Sequence, residues 1–189
     1  MKRAASDCSG DRFWQVEVYW KKRKQILNTP VHSTSEEIHH WFFDVYLPEW
    51  VGVGASADGD PRKILSFWGT PMHAASVNMT RWLMTDEHVL DLLAANHKPL
   101  KASGYTHTSV LDRKVVAYNP NAGSVDVIWS RCNGDVELER RAVHFQIHRT
   151  DAGWRVVALA SALTMYDKLI DVWATIDGQT PRTQGSVQT

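Results

Sequence analysis

Between Tyr105 and Ser161 the chain alternates and turns in a way that leaves few folds open to it. Four stretches read as β-strands: Tyr105–Tyr118, Val125–Cys132, Val136–His148 and Trp154–Ser161. The gaps hold the residues that tight turns need, Asn119-Pro120-Asn121-Ala122-Gly123, Asn133-Gly134-Asp135 and Thr150-Asp151-Ala152-Gly153. Turns this short force neighbouring strands antiparallel, so the region is predicted to be a meander. Val143, Phe145 and Ile147 alternate with His144, Gln146 and His148, which makes one face apolar and the other polar. An apolar face needs a cover, and the long helical segments all lie upstream. The fold class predicted is α+β: a curved four-stranded antiparallel meander plus a short hairpin, covered by three N-terminal helices.

The upstream chain supplies those elements in order. Residues 1–33 read as an N-terminal extension, an alternating arm through Trp14, Val16, Val18 and Trp20 followed by the basic run Lys21-Lys22-Arg23-Lys24, read as a solvated charge run rather than an address. The domain is expected over 34–162. It opens on a capping-box pattern in Ser33-Thr34-Ser35-Glu36-Glu37, and its first helix carries Ile38, Trp41, Phe42, Val45 and Tyr46 and is expected to stop at Leu47-Pro48. Asp60-Pro61 opens a second, short helix through Ile64, Leu65 and Phe67. A small hairpin follows, with Val77-Asn78 as its turn, and Thr85-Asp86-Glu87-His88 caps a third helix from Glu87 to about Ala102. Residues 163–189 are expected to hold one short helix, Leu163–Ile176, and a polar tail.

Charge and cysteine content exclude several function classes. With 21 basic and 21 acidic residues the formal net charge is zero, which argues against a nucleic-acid binder relying on a dominant positive field. Cys8 and Cys132 are too few for a disulfide framework. No apolar run approaches the ~20 residues of a membrane-spanning helix, and Met1–Asp7 is not followed by an apolar signal core. The expectation is a cytoplasmic protein that contacts neither membrane nor nucleic acid. Nine Trp residues fit either a thick core or an aromatic-lined cavity.

The order helix, short helix, hairpin, helix and meander resembles the nuclear transport factor 2-like superfamily, the cystatin-like cone shared by ketosteroid isomerases and SnoaL-like polyketide cyclases. The resemblance covers about Ser33 to Ser161. Its most specific piece is Thr150-Asp151-Ala152-Gly153-Trp154-Arg155-Val156-Val157, which is similar to the family's turn-Gly-Trp-Arg lead into the last strand; Trp68–Ser76 and Val125–Arg131 look like an uncharacterised bacterial branch. A shared cone does not transmit a reaction. The resemblance implies a cavity for a small apolar molecule and a homodimer through the convex face of the sheet, with the stripe His144, Gln146 and His148 at the contact and sensitive to pH.

The candidates for chemistry follow from that frame. In ketosteroid isomerases the short strand after the second helix carries the general-base Asp; here the matching stretch Thr70–Ser76 has no carboxylate, and His73 is its only titratable residue and the candidate base. Tyr105 and His107 are candidate hydrogen-bond donors to a developing oxyanion, or residues of the outer face. Asp126 lies inside the apolar run Val125–Trp129, where it must be exposed, paired or raised in pKa. Trp41, Trp68, Trp82 and Trp129 are the candidate ligand-binding residues, or simply core. No metal or cofactor is expected: His144 and His148 share a face without a third ligand fixed by spacing, and no HExxH, paired CxxC, phosphate loop or nucleophile elbow occurs. Two classes stay open, an acid/base enzyme with His73 as base and a noncatalytic binding or dimerisation module.

Overall fold

The computed structural model describes residues 31–173. The arm through Trp14–Trp20, its basic run and the tail from Asp177 lie outside these residues.

Ile38, Phe42, Tyr46 and Trp50 recur at intervals of four and are 0, 0, 0 and 4% exposed. A regular α-helix turns ~100° per residue, so a strict four-residue repeat would drift by about 40° per step and swing Trp50 off the buried face. The chain limits that drift by widening. Helix α1 (Val31–His40) runs into a π-helical stretch, Trp41–Tyr46, before α2 (Leu47–Ala55) resumes. At the junction the Leu47 N–H donates to the Phe42 carbonyl, five residues back. The stop expected at Leu47-Pro48 is corrected here: Pro48 occupies the first turn of α2. Its missing N–H is tolerated because the wide turn has already shifted the regular hydrogen-bond ladder.

Of the two expected caps, Thr85 forms as predicted, whereas Pro61 rather than Asp60 takes the N-cap position of the short helix. Asp60 Oδ1 accepts from the Arg62 N–H at 2.9 Å ahead of α3 (Arg62–Leu65), and the Thr85 hydroxyl accepts from the His88 N–H at the head of α4 (Asp86–Ala102).

The strands are β1 (Trp68–Ser76), β2 (Met79–Leu83), β3 (His107–Asn119), β4 (Ala122–Asn133), β5 (Val136–Thr150) and β6 (Gly153–Leu163). Strands β3 to β6 form the predicted meander, with Gly134 and Gly153 at positive φ in its last two turns. The hairpin β1–β2 does not stand apart. β1 pairs in parallel with β6, giving one six-stranded sheet in the order β2-β1-β6-β5-β4-β3. This curved, unclosed sheet with its N-terminal helices is the α+β architecture expected.

Val125, Val127, Trp129, Val143, Phe145, Ile147 and Val156 form the apolar inner face and share one core with the helices. Phe42 meets Phe145 edge to face, ring centroids 4.9 Å apart. Helix α1 packs tightly on the sheet at Gly123, where a Cβ would lie 2.5 Å from both Ile38 Cδ1 and the Val116 carbonyl oxygen. On the outer face α5 (Leu169–Val172) covers Ile128 and Ala142, anchored by the Leu169 N–H donating to Asp112 Oδ2 at 2.9 Å. Within the described residues the helix expected from Leu163 shrinks to these four, because Leu163 belongs to β6 and only Leu169 finds a buried seat. Met165 and Ile170, expected on its apolar face, are 92% and 87% exposed. Among the described residues no helix is long and apolar enough to cross a membrane.

Candidate functional site

The inner face of the meander changes character toward one end. Along β4 the inward positions run Val125, Val127, Trp129, Arg131; on β5 they run Ile147, Phe145, Val143, Arg141, Glu139. Antiparallel register sets Trp129 opposite Arg141 and Arg131 opposite Glu139. Strand alternation thus delivers two guanidinium groups and one carboxylate to the floor of an otherwise apolar cone. Arg131 Nη1 donates to Glu139 Oε1 at 2.5 Å. Arg141 Nη2 donates to Glu139 Oε2 at 3.2 Å and its Nη1 to Ser161 Oγ at 3.3 Å.

The helices and β1 wall this floor with aromatic rings. Trp50 of α2 stacks on Trp68 of β1 at 6.0 Å and an interplanar angle of 13°; the Trp68 Nε1–H donates to the Tyr46 hydroxyl at 3.1 Å. The Arg131 guanidinium carbon stands 5.7 Å from the Trp50 ring and 5.5 Å from Trp129, cation over π face on two sides. Asn96 of α4 reaches the same space, and Leu92 lines the cleft beside it. Tyr46, Trp50, Trp68, Trp129, Arg131 and Arg141 bound a small void of about 40 Å³. Through Asn96, Arg141, Leu159 and Ser161 it adjoins a cleft of about 430 Å³ between β1, β6 and α4.

Burial tunes these groups. It pulls the Arg131 guanidinium below its ordinary value, against the opposing pull of Glu139. It would raise Glu139, but Arg131 and Arg141 outweigh it and hold that carboxyl below the usual range. The Tyr46 phenol is pushed well up by burial. The His97 ring of α4 lies tilted against Trp50 with ring centroids 4.3 Å apart and its pKa is lowered to about 4, by burial first and then by Arg131 and Lys101.

Four buried N–H groups at this floor have no hydrogen-bond partner among the described residues: Trp50 Nε1, Trp129 Nε1, Arg131 Nε and Arg141 Nε. All four side chains bound the small void.

Of the predicted ligand-binding residues, Trp68 and Trp129 meet here. Trp41 is half-buried and stacks on Tyr46 at 5.8 Å instead. Trp82 is 62% exposed on β2. The candidate catalytic residues do not come together. His73 was expected at the cavity mouth, but its neighbours Met72 and Ala74 take the inward positions with 0% exposure, so alternation turns His73 outward. There its Nε2 meets Thr80 Oγ1 at 3.1 Å and its ring lies 5.2 Å from that of Trp82. His107 is exposed, with Nδ1 3.0 Å from Thr106 Oγ1. Asp126 is paired on the outer face, Oδ1 2.8 Å from His144 Nδ1. Tyr105 is buried just before β3, not in it, its hydroxyl 2.5 Å from Thr108 Oγ1 and its phenol raised by burial. Among the described residues no three of His, Cys, Asp and Glu gather as metal ligands.

Missed were Trp50, Arg131, Arg141, Glu139 and Asn96. Trp50 had a signal, since it continues the four-residue repeat past Pro48. The two arginines and the glutamate lie at inward positions of strands already identified, and following the alternation of Val143 and Phe145 back to Arg141 and Glu139 would have found them.

A protein-family model matches residues 35–164, and its description is NTF2-like protein (DUF6841). The chain belongs to this NTF2-like family. Among solved structures, an uncharacterised cystatin-like-fold protein from Caulobacter vibrioides is similar to it at 9% identity and a TM-score of 0.53, covering 71% of this chain and 92% of that one. A protein of unknown function from the DUF3225 family of Pectobacterium atrosepticum is similar at 14% identity and a TM-score of 0.51, covering 70% and 91%. At such identities the likeness is one of fold. No curated protein matches the sequence. The NTF2-like cone of the DUF6841 chain is thus the frame in which Arg131, Glu139 and Arg141 must be read.

Proposed function

We propose that this NTF2-like domain is a binding module that takes a small, flat, largely apolar molecule into its cone. The observation that carries the reading is the aromatic-walled floor with unpartnered buried donors, opening onto a cleft large enough for a ring system. What supports binding over acid/base turnover is the state of the titratable groups there. Glu139 is clamped by two arginines, and His97, lowered to about 4, is too weak a base to hold a proton near neutrality.

The test is a thermal-shift screen with steroids, aromatic polyketides and terpenoids. A ligand at a hundred times its Kd should stabilise the fold by ~2.7 kcal/mol. The shift should survive His73→Ala and vanish in Trp129→Ala at unchanged ligand concentration. A flat response across the panel overturns the reading, and turnover of a hit that depends on His73 restores the enzyme alternative.

The same reading includes self-association through the outer face. What supports it is the exposed Trp82 at one end of that face and the half-buried polar stripe His144, Gln146 and His148 along β5. Sedimentation velocity giving a monomer at every concentration and at every pH from 5 to 7 removes it.

A further inference from the structure

We infer that the cone's ligand carries a carboxylate, and that the Arg131–Arg141 floor holds it; this rests on the binding reading above and adds the ligand's charge. The side-chain nitrogens left without partners at the floor, two indole N–H and two guanidinium Nε–H, are all donors. A buried donor without an acceptor costs about 1–3 kcal/mol. Four on side chains that bound one void favour a guest that brings acceptors and no donors.

The charge agrees with this. Glu139 neutralises one of the two guanidinium groups through Oε1 to Arg131 and Oε2 to Arg141. One positive charge stays uncompensated, and it matches a monoanion.

Burial separates this floor from a surface basic patch. The Arg131 side chain is 5% exposed and sits between two Trp rings, which fixes it before any ligand arrives. Glu139 already occupies Nη atoms of both arginines, so an incoming carboxylate is left the guanidinium N–H groups that Glu139 does not use. The void of about 40 Å³ has room for a headgroup of a few atoms and no more, while the adjoining cleft receives the apolar body. The class assigned is a ring-bearing monocarboxylate.

Calorimetric titration of the full chain with 2-naphthoate and its uncharged isostere 2-naphthamide tests this. The acid should bind at least tenfold more tightly than the amide. Arg141→Gln should erase that preference, the acid losing at least tenfold more affinity than the amide. Arg131→Gln should do the same, but it leaves Glu139 short of a buried partner; Arg141, whose side chain is 22% exposed, gives the variant expected to fold. Equal affinity for acid and amide overturns the carboxylate inference and leaves the binding reading standing. Hits from the neutral panel without any naphthoate binding do the same. Stronger binding of 2-naphthyl phosphate than of 2-naphthoate overturns the choice of carboxylate. Silence from both naphthalenes and the whole panel overturns both readings, as does a crystal structure at saturating naphthoate with only ordered water at the floor.

Discussion

His97 is 3% exposed and neither ring nitrogen has a hydrogen-bond partner among the described residues. Protonation would bury a charge beside Arg131 and Lys101, which is why its pKa falls to about 4 from an ordinary 6.5. The unfolded chain binds a proton through the usual value near 6.5, and the folded chain resists until about 4. Stability is therefore full above pH 6.5 and lost as pH falls toward 4. By pH 5 the loss should be about 2 kcal/mol from this residue. Urea unfolding of the native chain and of His97→Leu at pH 7 and pH 5 measures it: the variant should lose less on acidification, and an equal loss in both proteins would assign acid sensitivity elsewhere. Tyr46 acts at the same scale through one oxygen, the acceptor for the Trp68 indole N–H, and fixes the face that Trp68 presents to Trp50.

Helix α1 and strand β4 meet at Gly123, so the element scale has its own weak point. A methyl group there would collide with the Ile38 side chain and, less forgivingly, with the Val116 carbonyl of the adjacent strand. Gly123→Ala should cost about 1–3 kcal/mol by overpacking, read as a lower urea midpoint at unchanged slope; an unchanged midpoint would mean that α1 rides further from the sheet. The same helix shows what could be read without coordinates. The meander was legible because its turns and its Val143-Phe145-Ile147 alternation are local signals. The continuation through Pro48 was not, because a proline ordinarily ends a helix, and the cue to the contrary is a repeat of four, Ile38-Phe42-Tyr46-Trp50, that becomes meaningful only once the turn widens. Of the four tryptophans named as candidate ligand-binding residues, Trp68 and Trp129 bound the same small void. His73 was misplaced because a nine-residue strand with small and apolar residues on both sides gives no clear alternation; Met72 and Ala74 decide its facing only after β1 pairs with its neighbours.

At the scale of the molecule, the sheet is sewn in two ways. Strands β3 to β6 follow one another in sequence and in space, whereas β1 must find β6 across the whole meander, pairing Trp68 with Val156 and Ser76 with Ser161. Among the strand pairings such a joint between distant parts of the chain carries the largest loop-closure cost. It is also the seam along which β1 and β2 could open without disturbing the four strands beyond it. Ala75 and Ser76 on one side of this seam and Leu159 and Ser161 on the other are walls of the cleft. Amide hydrogen exchange should accordingly be faster in β1 than in β4 and β5, and a cleft ligand should slow β1 most; uniform protection across the sheet would refute the idea. The cleft then has a door whose hinge is topological: a guest enters by parting the one stitch that joins the hairpin to the meander, and once inside holds the hem closed.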